Sequence, residues 1–106
     1  MKHFIMLAGL LLLIANPAST QEIGDVAHGR HLADTWCSSC HVVAPTTGCG
    51  TSNGAPPFSA VASTSSTTAM SLRAFLVTPY ARMPDLHLPR DEIDDVSAYI
   101  LSLRRK

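Results

Sequence analysis

Two thiols and an imidazole stand together at Cys37-Ser38-Ser39-Cys40-His41. On a helix or helical turn, positions i, i+3 and i+4 share one face. Thiols three residues apart can each form a thioether to one of the two vinyl groups of a haem, and the next residue's imidazole then lies over the iron as an axial ligand. This C-x-x-C-H string is the c-type haem attachment pattern. Other readings of the same residues compete with it. A thioredoxin-like redox pair wants a strand–helix unit beside its C-x-x-C, and no strand-rich segment precedes this one. A zinc site drawing on Cys37, Cys40, Cys49 and a histidine lacks a second paired motif to close a tetrahedron. A plain disulfide between Cys37 and Cys40 gives His41 no part.

Haem iron takes a second axial group, and Met83 is the best candidate. It lies in Tyr80-Ala81-Arg82-Met83-Pro84-Asp85, a polar, proline-bounded stretch that reads as loop rather than helix core. A thioether sulfur ligating iron accounts for a methionine in such a place, and Pro84 stiffens the backbone that presents it. Met70, beside a Ser/Thr-rich run, and His87, four residues beyond Met83, are its rivals.

The compartment decides what cysteines mean. Lys2 is followed by an apolar run from Phe4 to Ile14 and then by Asn16-Pro17-Ala18-Ser19-Thr20. That is the layout of a secretory signal peptide, and the run is too short to cross a bilayer as a helix. Residues 1–20 are therefore expected to be removed, with the cut after Ala18 or Thr20, leaving residues 21–106 as one exported domain without a membrane span. In an oxidising compartment cysteines signal disulfides or covalent cofactor attachment. Eight basic and eight acidic groups balance in the whole chain. Nucleic-acid binding driven by bulk charge is thereby excluded.

The elements that must position these groups are helical. Val26, Gly29, Leu32, Ala33 and Trp36 fall on one face, which runs on into Cys37 and Cys40, and Asp25 suits the positive start of that helix. Residues 42–57 read as loop, and residues 59–71, rich in Ser and Thr, as a weakly structured connection. Ser71 to Val77 reads as a short helix with Leu72, Phe75 and Leu76 inward, ending before Pro79. The last helix starts at Pro89, places Asp91 and Glu92 at its positive end and Arg104, Arg105 and Lys106 at its negative end, and buries Ile93, Val96, Tyr99, Ile100 and Leu103. Nothing reads as a hairpin. The expected fold is all-α, with three main helices.

The order of C-S-S-C-H, a proline-rich loop, Met83-Pro84 and a terminal D-E-I-D-D-V-S-A-Y-I-L-S-L helix resembles the class I c-type cytochromes, in particular the small periplasmic monohaem proteins of Gram-negative bacteria. The resemblance runs from about Gly24 to Leu103. It implies a cytochrome c-like fold wrapped around one haem c, held covalently by Cys37 and Cys40, with His41 and Met83 axial. It implies close helix crossing at Gly29 against Tyr99, and a loop proline, Pro56 or else Pro57, whose carbonyl accepts the second N–H of His41. Three features depart from the pattern. Ala33 stands where relatives often carry an aromatic, which shifts the crossing toward Trp36 and Tyr99. Cys49 has no family part, and either is incidental or links two chains as a disulfide dimer. His28 and His31 read as solvated residues with no carboxylate placed beside them.

An iron with protein ligands on both faces has no open position for a substrate, so the expected function is one-electron carriage and not enzymatic turnover. The carrier would shuttle in the periplasm, as a monomer with transient redox partners, between a dehydrogenase or quinol-oxidising complex and a terminal acceptor. A loosely held Met83 would instead make a ligand sensor or weak peroxidase. A third reading is an electron-accepting subunit of one dehydrogenase. Arg73 and Arg82 are candidates to meet a haem propionate.

Overall fold

The computed structural model describes residues 24–45 and 54–104. The expected signal peptide and Cys49 lie outside these residues. Among these residues there are four helices: α1 (Val26–Trp36), α2 (Phe58–Ser63), α3 (Ala69–Leu76) and α4 (Arg90–Ser102). Among the described residues there is no strand ladder, and the one bridge pairs Tyr80 with Met83. The all-α expectation holds, with a short fourth helix added to the three.

The organising element is α4, which packs on each of the other three and most extensively on α1. Pro89 stands at its N-cap, one residue before the helix, and Asp91 and Glu92 occupy the first turn, where the exposed N–H groups favour negative charge. Ile93, Val96, Tyr99 and Ile100 are buried, while Leu103 is only partly so. The buried apolar core also includes Leu32, Ala33, Cys37, Val43, Phe58, Ala62 and Leu72.

Asp25 caps α1 by accepting a hydrogen bond from the His28 N–H at 3.0 Å. Gly29, Leu32 and Ala33 are buried on its inner face. A side chain at Gly29 would run into the backbone carbonyl of Asp95 and the Cβ of Tyr99, so α1 and α4 meet backbone to backbone there. The crossing therefore rests on Gly29, Ala33 and Tyr99 but not on Trp36, which is 53% exposed. Helical spacing puts Trp36 on the right face, but it is the last residue of α1 and nothing described covers it.

The segment 59–71 is more ordered than its composition suggests. Phe58 and Ala62 are buried and hold α2 against α4. Thr68 and Ser71 cap α3 reciprocally: the Ser71 N–H donates to the Thr68 hydroxyl at 3.0 Å and the Thr68 N–H to the Ser71 hydroxyl at 2.8 Å. Arg104 ties α2 to the segment that leads into α3, donating from Nε to the Ala62 carbonyl at 2.9 Å and from Nη2 to that of Thr67. The same serines and threonines that read as a loose connection are the caps of neighbouring helices. With that cap, α3 starts at Ala69, two residues earlier than its apolar pattern implies.

Candidate haem site

The C-S-S-C-H string continues α1 as a tight helical turn. The Cys37 N–H bonds to the Ala33 carbonyl at 2.9 Å, and those of Cys40 and His41 to the Cys37 carbonyl at 3.2 and 2.9 Å. The Ser38 hydroxyl ties the turn back to the Asp34 carbonyl at 2.5 Å. Residues three and four apart are thus brought to one side, as the attachment chemistry requires. Cys37 and Cys40 are not joined to each other. Burial, with Cys40 beside it, pushes the Cys37 thiol up to about 11. A redox dithiol of the thioredoxin kind needs a depressed thiol, so this environment opposes that reading. Among the described residues no three His, Cys, Asp or Glu side chains are grouped to hold a metal, and Cys49 lies outside those residues.

His41 is fixed from two directions. Its Nδ1 lies 2.7 Å from the Pro56 carbonyl oxygen. A carbonyl only accepts, so Nδ1 carries the proton and donates, which leaves Nε2 as the bare, electron-rich nitrogen. Pro56 and Pro57 were both open for this contact by sequence. The Pro57 carbonyl instead receives the Ala60 and Val61 N–H groups at 3.0 and 3.2 Å as α2 begins. The Phe58 ring packs on the imidazole, with centroids 5.2 Å apart and planes at 49°. Phe58 also donates its N–H to the Val42 carbonyl at 2.9 Å, next door to His41. The Tyr99 hydroxyl reaches the Val43 carbonyl at 2.6 Å, which ties this segment to α4. Phe58 was not singled out from sequence; its place directly after Pro56-Pro57 was the available signal.

Met83 sits on a separate turn. Its N–H donates to the Tyr80 carbonyl at 3.2 Å, and the residue is partly buried. The two rivals are differently placed. Met70 lies in the first turn of α3 and is 78% exposed. His87 has a left-handed backbone (φ 51°), its N–H is held by the Asp85 carboxylate at 2.8 Å, and its Nδ1 is 3.5 Å from the same group. Phe75 does not point into the core as its position in the helix suggests. It is half-exposed, and its ring stacks on Tyr80 at 4.3 Å with planes 20° apart.

Two polar expectations are revised. Arg73 is committed to a protein partner, donating from Nε and Nη2 to Asp94 Oδ1 at 2.9 and 2.7 Å. His28 is not simply solvated, for its Nδ1 is 2.6 Å from Asp95 Oδ2. Arg82 is exposed.

No family model matches the chain, and no solved structure is a significant match. Cytochrome c-552 of Bradyrhizobium diazoefficiens (strain USDA 110) is 39% identical over 95 residues, which spans 90% of both chains. At that level of identity across nearly the full length of each, and on an all-helical fold, the chain belongs to the class I c-type cytochromes, a family of haem-bearing electron carriers rather than enzymes.

Proposed function

We propose that this chain is an exported one-electron carrier whose single haem c is bound covalently through Cys37 and Cys40, with His41 and Met83 as axial ligands. The observation that carries the ligand set is the bond from His41 Nδ1 to the Pro56 carbonyl, because it fixes the tautomer that leaves Nε2 free for iron. The other donors suit the same group. Two unpaired thiols lie one helical turn apart, and Met83 is partly buried on a turn closed by its N–H to the Tyr80 carbonyl. Bound haem supplies one reversible iron couple.

The chain's own residues set how that couple behaves. Met83, a soft donor, would favour the ferrous state, while His41, made more basic by its bond to Pro56, would be the stronger donor. His41 and Met83 would both hold the iron, which would leave oxygen and peroxide no open coordination site. Electrons pass to and from partners through brief encounters, between a dehydrogenase or quinol-oxidising complex and a terminal acceptor. Export is supported by the Lys2 and Phe4–Ile14 pattern and by thiol chemistry suited to an oxidising compartment. No helix among the described residues is long and apolar enough to cross a membrane.

Visible spectra of the mature protein, oxidised and reduced, made with cytochrome maturation machinery, test the assignment. A c-type reduced spectrum with a ferric sulfur–iron band that disappears in Met83→Ala is the expected result. Covalent haem without that band moves the sixth position to His87 or leaves it open to added ligands. Protein that takes up no haem overturns the proposal.

A further inference from the structure

A neutral thioether is a weak ligand for ferric iron. Its bond is weak enough that the backbone carrying it decides how often it leaves. The turn Tyr80-Ala81-Arg82-Met83 has one backbone bond closing it, from the Met83 N–H to the Tyr80 carbonyl, so Met83 is located through Tyr80. Pro79 and Pro84 bracket the turn; neither can donate an N–H to anchor it, and each removes backbone freedom beside it. Tyr80 in turn is held from the side by the stack on Phe75. Phe75 belongs to α3, which is fixed to the body of the protein by Leu72 in the core and by Arg73 on Asp94 of α4. Contacts therefore run without a gap from α4 through α3 to the methionine turn, and the ring stack is the link between helix and turn.

We propose that Phe75 and Tyr80 are positioning residues for the Met83 sulfur, and that their stack sets the fraction of time the sulfur stays on iron. The inference rests on Met83 being the sixth ligand. Neither ring is needed to hold the core together, since both are exposed by about half. A ring pair so placed contributes by restricting the turn and not by burying it.

The test is imidazole titration of the ferric holoprotein, followed at the sulfur–iron band, with the reduction potential measured on the same samples. An external ligand binds only when the sulfur is off, so its apparent affinity reports the detached fraction. Phe75→Leu and Tyr80→Ala are expected to tighten imidazole binding about three- to tenfold, the range of an aromatic pair, and to lower the potential. Tyr80→Phe keeps the stack and should match wild type within about twofold. Val77→Ala, an exposed apolar neighbour outside the stack, should also match it. Wild-type affinity and potential in both Phe75→Leu and Tyr80→Ala, with the band still lost in Met83→Ala, would overturn this inference alone. A Tyr80→Phe variant that binds imidazole as tightly as Tyr80→Ala would overturn it too, by assigning the effect to the hydroxyl. A band that survives in Met83→Ala removes the ligand assignment and this inference together.

Discussion

At the scale of single residues, the tightest constraint is Gly29. A Cβ there would fall on the carbonyl oxygen of Asp95, which is backbone and cannot swing aside. Relief requires α1 and α4 to separate along their whole contact. Gly29→Ala is therefore expected to destabilise the holoprotein by about 1–3 kcal/mol, the usual cost of overpacking, read from denaturant unfolding. The slightly better helix propensity of alanine offsets little of that. Gly24 is similarly placed, with φ of 126°, and a Cβ there would run into the Asp94 carbonyl. Both glycines serve the approach of the first helix to the last.

At the scale of elements, that same crossing carries a titratable pair. Asp95 on α4 accepts the Asp25 N–H at 2.7 Å and faces His28 at 2.6 Å, so it holds the start of α1 by two bonds. The hydrogen bond to Asp95 raises the His28 pKa above its ordinary 6.5, with Glu92 and Asp25 adding in the same direction. The Asp25 N–H, followed by His28, lowers the Asp95 pKa below its ordinary 3.8. A raised histidine stabilises the fold fully below 6.5, and its contribution is lost as pH rises through the folded value. A depressed carboxylate contributes above 3.8, and its contribution is lost as pH falls through the folded value. The pair is thus most effective between those two values. The thermal midpoint of the holoprotein is expected to fall as pH rises from 6.5 toward neutrality and beyond, and less steeply in His28→Gln. Parallel curves for the two proteins would show that the pair is decorative. Because His28 is exposed, the difference should be small and should shrink in high salt.

At the scale of the whole molecule, the core is small. The described residues bury a cluster in which alanines and a cysteine sit among the larger side chains. A domain of this size gains much from a staple. Two thioethers would tie the end of α1 to a flat apolar body, and axial bonds would draw in the methionine turn. The double variant Cys37→Ser/Cys40→Ser is accordingly expected to lose most of its thermal stability, with a lower and broader melt in far-ultraviolet circular dichroism. A melt as sharp and as high as that of the loaded protein would mean that the four helices stand by themselves. Balanced charge bears on the same scale. With eight cationic and eight anionic side chains, the protein has no strong overall field to steer partners, so recognition depends on local surface.

Periodicity and punctuation in the sequence were enough to determine α1 and α4, the all-helical class and the C-S-S-C-H turn, because each depends on neighbours within a few residues. They also located Met83 between prolines and His41 next to a thiol pair. What lay beyond them depended on partners far along the chain. Composition made 59–71 a loose connection, yet the burial of Phe58 and Ala62 and the reach of Arg104 order it. Helical spacing turned Trp36 and Phe75 inward, but spacing gives the face of a helix and not how far a neighbour extends along it. The choice of Pro56 over Pro57, the Asp95 partner of His28 and the stack of Phe75 on Tyr80 were settled by tertiary structure, since each is a contact between segments whose relative placement no local pattern encodes.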